Sequence, residues 1–384
     1  RDVAPLPQPA SGQPRIVALG DSYMSGEGAL EFFEHTNVAG SKSNQCRRAP
    51  TAYPVLVAEA RGVGLQFLAC SGAKAAELHL DGQMPNATDD APGRLPQLDY
   101  VDFVEDIDLI LVSVGGNDAR FSSVGKGCLL PGSCSELEEN WIKNVEALSA
   151  KLVPAYQAIR DRAGADTPIV AMPYPIMVTE RGCREAMLDD DEHSFVVRFV
   201  TAINAQVALS AKQAGIHFFG GGIDAYVGDR ICSQGEVDPS AVNFISLQPT
   251  EGPFVDRLNP ANWVHGSLHP NAGGHGRMAA ALVAWLDMSP PGANPSPEPG
   301  ATLADVGIET EPAPASTSTA VLPDETEWRN EQLAAAAKEA WPAVVLLFLG
   351  GWLFAATGKG GPFRRAHWTT DADLAAAQQR RHGT

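Results

Sequence analysis

Short apolar runs, closed by glycine, proline or small polar residues, punctuate this chain, and stretches with helical spacing lie between them. Residues 16–19 ended by Gly20, 65–69, 107–114, 168–172 ended by Pro173 and Pro175, and 216–219 are predicted strands. They are nearly continuous in apolar residues, as strands buried on both faces are. Residues 51–61 carry Tyr53, Leu56, Val57 and Ala60 at helical spacing, and 136–163 read as one long helix. Residues 194–214 carry Phe195, Phe199, Ile203 and Val207 four apart, and 271–285 form a last helix behind Pro270, taken as its starting proline. The stretches 29–50, 74–105, 119–135 and 221–264 are expected to be loops. Strands alternating with helices require parallel crossovers, so the predicted fold is a three-layer α/β/α sandwich around a five-stranded, doubly wound parallel sheet.

Composition divides the rest of the chain. Residues 1–14 are rich in proline, alanine and glutamine and form a flexible segment ahead of the domain at 15–288. From 289 to 327 the sequence turns to proline, alanine, serine, threonine and glutamate, the composition of an extended disordered linker. A short juxtamembrane helix at 328–339 then leads into 340–358, which has no charge from Trp341 to Thr357 and is long enough to approach a bilayer core of about 30 Å. Lys359, Arg364 and Arg365 in the 359–384 tail place that tail in the cytoplasm and the domain outside, with the membrane as a partner through the C-terminal helix.

A formal charge of −18 excludes nucleic acid as a partner, because phosphate binding needs clustered Lys and Arg. The six cysteines, Cys46, Cys70, Cys128, Cys134, Cys183 and Cys232, include no Cys-x-x-Cys pair and point to disulfides in an oxidising compartment, with connectivity open. The chain begins at Arg1 without a secretory signal and is expected to be a processed form or fragment. No metal cluster and no phosphate loop emerges, so no cofactor is expected.

Chemistry gathers at the ends of the strand runs, where ligands bind in open α/β sheets. Gly20-Asp21-Ser22 follows the first run, Cys70-Ser71-Gly72 the second and Gly116-Asn117-Asp118 the third, while Ser267-Leu268-His269-Pro270 precedes the last helix. Taken in that order, Ser22, Gly72, Asn117 and His269 resemble the four marker residues of the SGNH hydrolases, the GDSL-type esterases and lipases, over roughly residues 15–287. The resemblance extends to secreted actinobacterial lipases.

It implies a flavodoxin-like sheet and a serine nucleophile at Ser22 acting through an acyl-enzyme. It also implies an oxyanion hole from the Ser22 and Gly72 backbone N–H groups and the Asn117 amide, and sequential disulfides 46–70, 128–134 and 183–232. A serine hydroxyl needs a base. His269 is preferred over His265 and His275 because it lies on a short turn before Pro270 and because the resemblance puts the base there. Many relatives carry an Asp three residues before this histidine, where this chain has Gly266. A backbone carbonyl of Gly266 or Ser267 is therefore expected to hold the other ring nitrogen, as in some actinobacterial relatives, with Asp224 and Asp229 as acidic stand-ins.

The expected function is extracytoplasmic hydrolysis of carboxylic esters, with the ester, a lipid or an acylated glycan, as partner and the protein a monomer. One alternative is an O-acyl esterase or acyltransferase acting on cell-envelope polysaccharide at the same site. Another is an inactive surface binding domain on a hydrolase scaffold.

Overall fold

The strands β1 (Arg15–Gly20), β2 (Gly64–Phe67), β3 (Ile107–Ser113), β4 (Ile169–Ala171) and β5 (His217–Phe218) form one sheet in the order β2-β1-β3-β4-β5, every pairing parallel. This computed structural model describes residues 5–7, 10, 12–38, 44–83, 95–128, 133–183, 188–236, 240–246 and 265–310. The predicted transmembrane and juxtamembrane helices and the basic tail lie outside those residues.

Period-two alternation sends neighbouring strand residues to opposite faces. Ile16, Ala18, Leu109, Leu111 and Val170 join one core beneath α2 (Tyr53–Arg61) and α8 (Ala272–Met288). Val17, Leu19, Ile110, Val112 and Ile169 join the other. Over that second face pack α3 (Ala75–His79), α5 (Glu138–Glu146), α6 (Ser149–Ala163) and α7 (Asp190–Ala214). Long and apolar enough to cross a membrane, α7 is instead a core helix, with Phe195, Phe199 and Ile203 fully buried. Asp189 and Glu192 close a capping box at its start, and Gly215, at φ 69°, ends it.

Several expectations change. The long helix predicted over 136–163 is broken at Ala147 and Leu148 into α5 and α6, and Pro154 remains inside α6. The stretches expected to be loops contain α3 and α4 (Phe121–Cys128). Pro270 is not the first helical residue of α8; it precedes the N-cap Asn271, whose side chain accepts from Gly274 N–H at 3.0 Å. Part of the linker predicted from residue 289 is hydrogen-bonded to the domain. Asn294, 8% exposed, accepts from Ile169 N–H at 2.9 Å and donates to Thr167 O at 2.6 Å, while Gln213 donates to Ala301 O at 2.9 Å. The disulfides are Cys46–Cys70, Cys128–Cys134 and Cys183–Cys232.

Candidate active site

The strand order reverses between β1 and β3, and the crevice at their carboxyl ends is where an open α/β sheet takes its ligand. Gly20 closes β1 at φ 134°, and a Cβ there would overlap the Ser113 carbonyl of β3. Gln97 brackets this turn, accepting from Gly20 N–H at 2.8 Å and donating to Gly20 O at 2.9 Å. Asp21 then caps α1 (Ser22–Ser25), its carboxylate accepting from Tyr23 N–H at 3.0 Å. Ser22 thus leaves the sheet on a short turn pinned from both sides, and it is 7% exposed.

His269 approaches from the turn before α8. Its Nε2 lies 2.8 Å from Ser22 Oγ, and its Nδ1 lies 2.8 Å from Ser267 O. A carbonyl can only accept, so Nδ1 carries the proton and Nε2 is left to accept from the serine hydroxyl. Of the two carbonyls expected to hold the ring, Ser267 does so; that of Gly266 accepts from Asn243 Nδ2 at 3.2 Å. The proposed acidic stand-ins are elsewhere, Asp224 paired with Arg230 at 2.5 Å and Asp229 with Arg277 at 2.6 Å.

Residues without a sequence signal fix this turn. Asn243 donates its backbone N–H to His269 O at 3.0 Å, accepts from Leu268 N–H at 2.7 Å, and donates its side chain to Gly28 O at 2.7 Å. Tyr23, next to Ser22, donates its hydroxyl to Leu268 O at 2.9 Å, with its ring 5.2 Å from that of His269. Gly28 makes the approach feasible, since a Cβ there would come within 2.7 Å of the His269 Cβ.

Gly72 and Asn117 line the same cavity as Ser22 and His269, a space of about 290 Å³. Gly72 is required for its φ of 84° more than for lack of room, because a Cβ would meet nothing closer than Gln83 Nε2 at 3.6 Å. Asn117 donates one amide hydrogen to Ala73 O at 3.0 Å, which leaves its second amide hydrogen for a ligand. The adjoining Asp118 accepts from Ala75 N–H at 2.8 Å and steadies the turn. Tyr174 ties the turns after β1 and β3 together, donating to Asp21 Oδ2 at 2.5 Å and accepting from Gly116 N–H at 2.8 Å. Burial pushes the Asp21 carboxyl up to about 7, against the lowering effect of its bonds from Tyr174 and Tyr23.

The cavity is chemically two-sided. Phe121, Gly125 and Leu268 form one wall and also border an adjoining apolar cleft with Met177, Phe199 and Phe244. The opposite wall holds Glu27, whose carboxylate is 3.5 Å from His269 Nε2 and accepts from Arg47 Nη1 at 2.5 Å and from Ser71 Oγ at 2.7 Å. Burial raises the Glu27 carboxyl, but Arg47 and the histidines outweigh it and hold the group below the usual carboxylate range. Glu27 stands between two glycines five residues after Ser22, yet nothing in its spacing signals that it faces the imidazole.

Residues 18–277 match the GDSL-like Lipase/Acylhydrolase family. Over 237 residues, 58% of this chain and 77% of the relative, the sequence is 30% identical to a lipase of Streptomyces rimosus. It is 29% identical over 246 residues to lipase 1 of Streptomyces coelicolor, covering 62% of this chain and 80% of that protein. The fold is similar to the crystal structure of the extracellular lipase of Streptomyces rimosus, with a TM-score of 0.53 and 26% identity over 71% of this chain and 99% of that one. Phospholipase A1 of Streptomyces albidoflavus is also similar, with a TM-score of 0.52 and 26% identity over 72% and 99% of the two chains. The match spans well over half of the sequence, and the chain belongs to the GDSL-like lipase/acylhydrolase family of serine ester hydrolases.

Proposed function

We propose that this protein cleaves carboxylic esters through an acyl-enzyme on Ser22, with His269 as general base and Ser267 O as the group that orients it. The observation that carries the reading is the 2.8 Å contact between His269 Nε2 and Ser22 Oγ. Ser22 Oγ attacks the ester carbonyl while its proton passes to Nε2. The Ser22 and Gly72 N–H groups and the Asn117 amide stabilise the charge on the carbonyl oxygen. Collapse breaks the bond to the alcohol, which leaves with the proton from Nε2. Water then attacks the acyl-enzyme, Nε2 takes its proton and returns it to Ser22, and the carboxylic acid departs. The apolar wall of Phe121 and Leu268 and the cleft behind it suit the acyl chain.

The domain acts outside the cytoplasm, a reading supported by three disulfides, which persist where the medium is oxidising. It is tethered by residues 340–358, on the strength of their uncharged length and the basic residues that follow. The test is Ser22→Ala assayed on a short-chain nitrophenyl ester. Turnover is expected to fall about a thousandfold or more, and labelling by a fluorophosphonate probe to vanish. Undiminished turnover in the variant, or a wild-type serine inert to the probe, would reject the mechanism; the inert serine would favour a binding domain.

A further inference from the structure

The departing alcohol takes its proton from His269 Nε2, so its oxygen must lie beside that atom. Glu27 Oε2 lies 3.5 Å from the same nitrogen, which makes the wall of Glu27, Ser71 and His265 the surroundings of the leaving group. His265 is unusual on this wall. Its side chain is 4% exposed, and among the described residues neither ring nitrogen meets a partner with hydrogen-bond geometry. Nδ1 lies 3.4 Å from Glu27 Oε1 without hydrogen-bond geometry, and Nε2 has no partner among the described residues. A buried polar atom left unpaired is costly, and a ligand that pairs with it recovers that cost.

We propose that this wall binds the alcohol half of the ester and selects an alcohol carrying a further hydroxyl, as glycerol and sugars do, through a hydrogen bond to the His265 imidazole. The proposal rests on the serine-hydrolase reading above. A neutral imidazole has one donor and one acceptor, which matches a hydroxyl group. Burial pushes the His265 imidazole down from its usual range, against the pull of Glu27, and so favours the neutral ring. The Glu27 carboxylate beside it repels a phosphate. Arg47 offers little compensation, because its guanidinium is already held by Glu27 at 2.5 Å and by Asn37 Oδ1 at 3.2 Å.

The test compares esters with one acyl group and different alcohols, using the full chain: ethyl butyrate, glycerol monobutyrate, 6-O-butyryl glucose and butyryl glycerol phosphate. Wild-type kcat/KM is expected to be about tenfold or more higher for at least one of the two hydroxyl-bearing neutral esters than for ethyl butyrate. Which of the two is preferred separates glycerol from sugar as the source. The phosphate ester is expected to be the poorest substrate.

His265→Phe should lower kcat/KM on the preferred ester about tenfold more than on ethyl butyrate, acting mainly through KM, and His265→Gln, which keeps a donor and an acceptor, should restore part of the loss. Equal wild-type rates on all neutral esters would overturn the proposal while leaving the hydrolase reading intact. So would a loss in His265→Phe that falls equally on every ester. Absence of turnover on any ester would overturn both.

Discussion

Where many relatives carry an Asp three residues before the histidine, this chain has Gly266, and two other groups face the His269 ring. Ser267 O, at 2.8 Å from Nδ1, fixes the tautomer, but a neutral carbonyl stabilises the imidazolium less than a carboxylate does. The charge lies on the opposite side, where Glu27 is 3.5 Å from Nε2. The three late histidines thus divide by environment. His269 meets the serine, His265 lines the leaving-group wall, and His275 is fully buried in α8, its Nδ1 accepting from Tyr53 N–H at 3.4 Å. Burial, helped by nearby His269, pushes the His275 imidazole down to about 3 from 6.5. Between those values the unfolded chain binds a proton that the folded chain does not, so stability falls as pH falls, by roughly 1.4 kcal/mol per pH unit from this group. Urea unfolding at pH 7 and pH 4 should therefore show a smaller acid loss in His275→Gln than in wild type; parallel losses would show that His275 does not titrate this way. His269 was singled out by its turn before Pro270 together with the family resemblance. The neighbours that define all three rings were not, because their contacts come from distant parts of the chain.

The elements best marked in the sequence are those whose burial is encoded locally. The apolar run of β3 between polar flanks needs no outside help; β3, β4 and β5 fall within the predicted runs, while β1 and β2 overlap theirs and start one residue earlier. Weak local codes hide α3 and α4. The five-residue α3 starts where Asp118 accepts from Ala75 N–H, and α4 contains Gly125 and Gly127, poor helix formers, yet buries Val124 and ends at the Cys128–Cys134 disulfide. A disulfide also organises the site. Cys46–Cys70 closes a 24-residue separation, puts Arg47 against Glu27, and leaves Cys46 O to accept from Ser71 N–H at 3.1 Å. Removing it as Cys46→Ala with Cys70→Ala should cost about 3 to 4 kcal/mol in urea unfolding and lower kcat, since Gly72 adjoins the released segment. Removing Cys183–Cys232, which spans a separation of 49, should cost at least as much stability with a smaller effect on kcat. Equal effects on kcat would dissociate the first disulfide from the site.

At the scale of the molecule, the domain extends beyond the last core helix, because residues 294–301 are hydrogen-bonded to it. Their proline-rich composition reads as a spacer, for they bury little apolar surface; hydrogen bonds through Asn294 hold them instead. The tether proposed at 340–358 predicts that the full chain stays with membranes through alkaline carbonate extraction, while a chain cut after residue 310 is released with its activity. Full-length protein in the carbonate supernatant would count against the tether. The sequence by itself determined the strands, the alternation that makes the sheet parallel, and the Ser22 turn, because burial periodicity and turn chemistry are local properties. Tertiary structure alone decided what surrounds the reacting atoms: Ser267 O behind His269, Glu27 before it, Asn243 beneath its turn and His265 across the leaving-group wall. Ser22 and His269 are 247 positions apart. Contacts across such a distance are set by how the strand ends converge, and no short window of residues records that convergence.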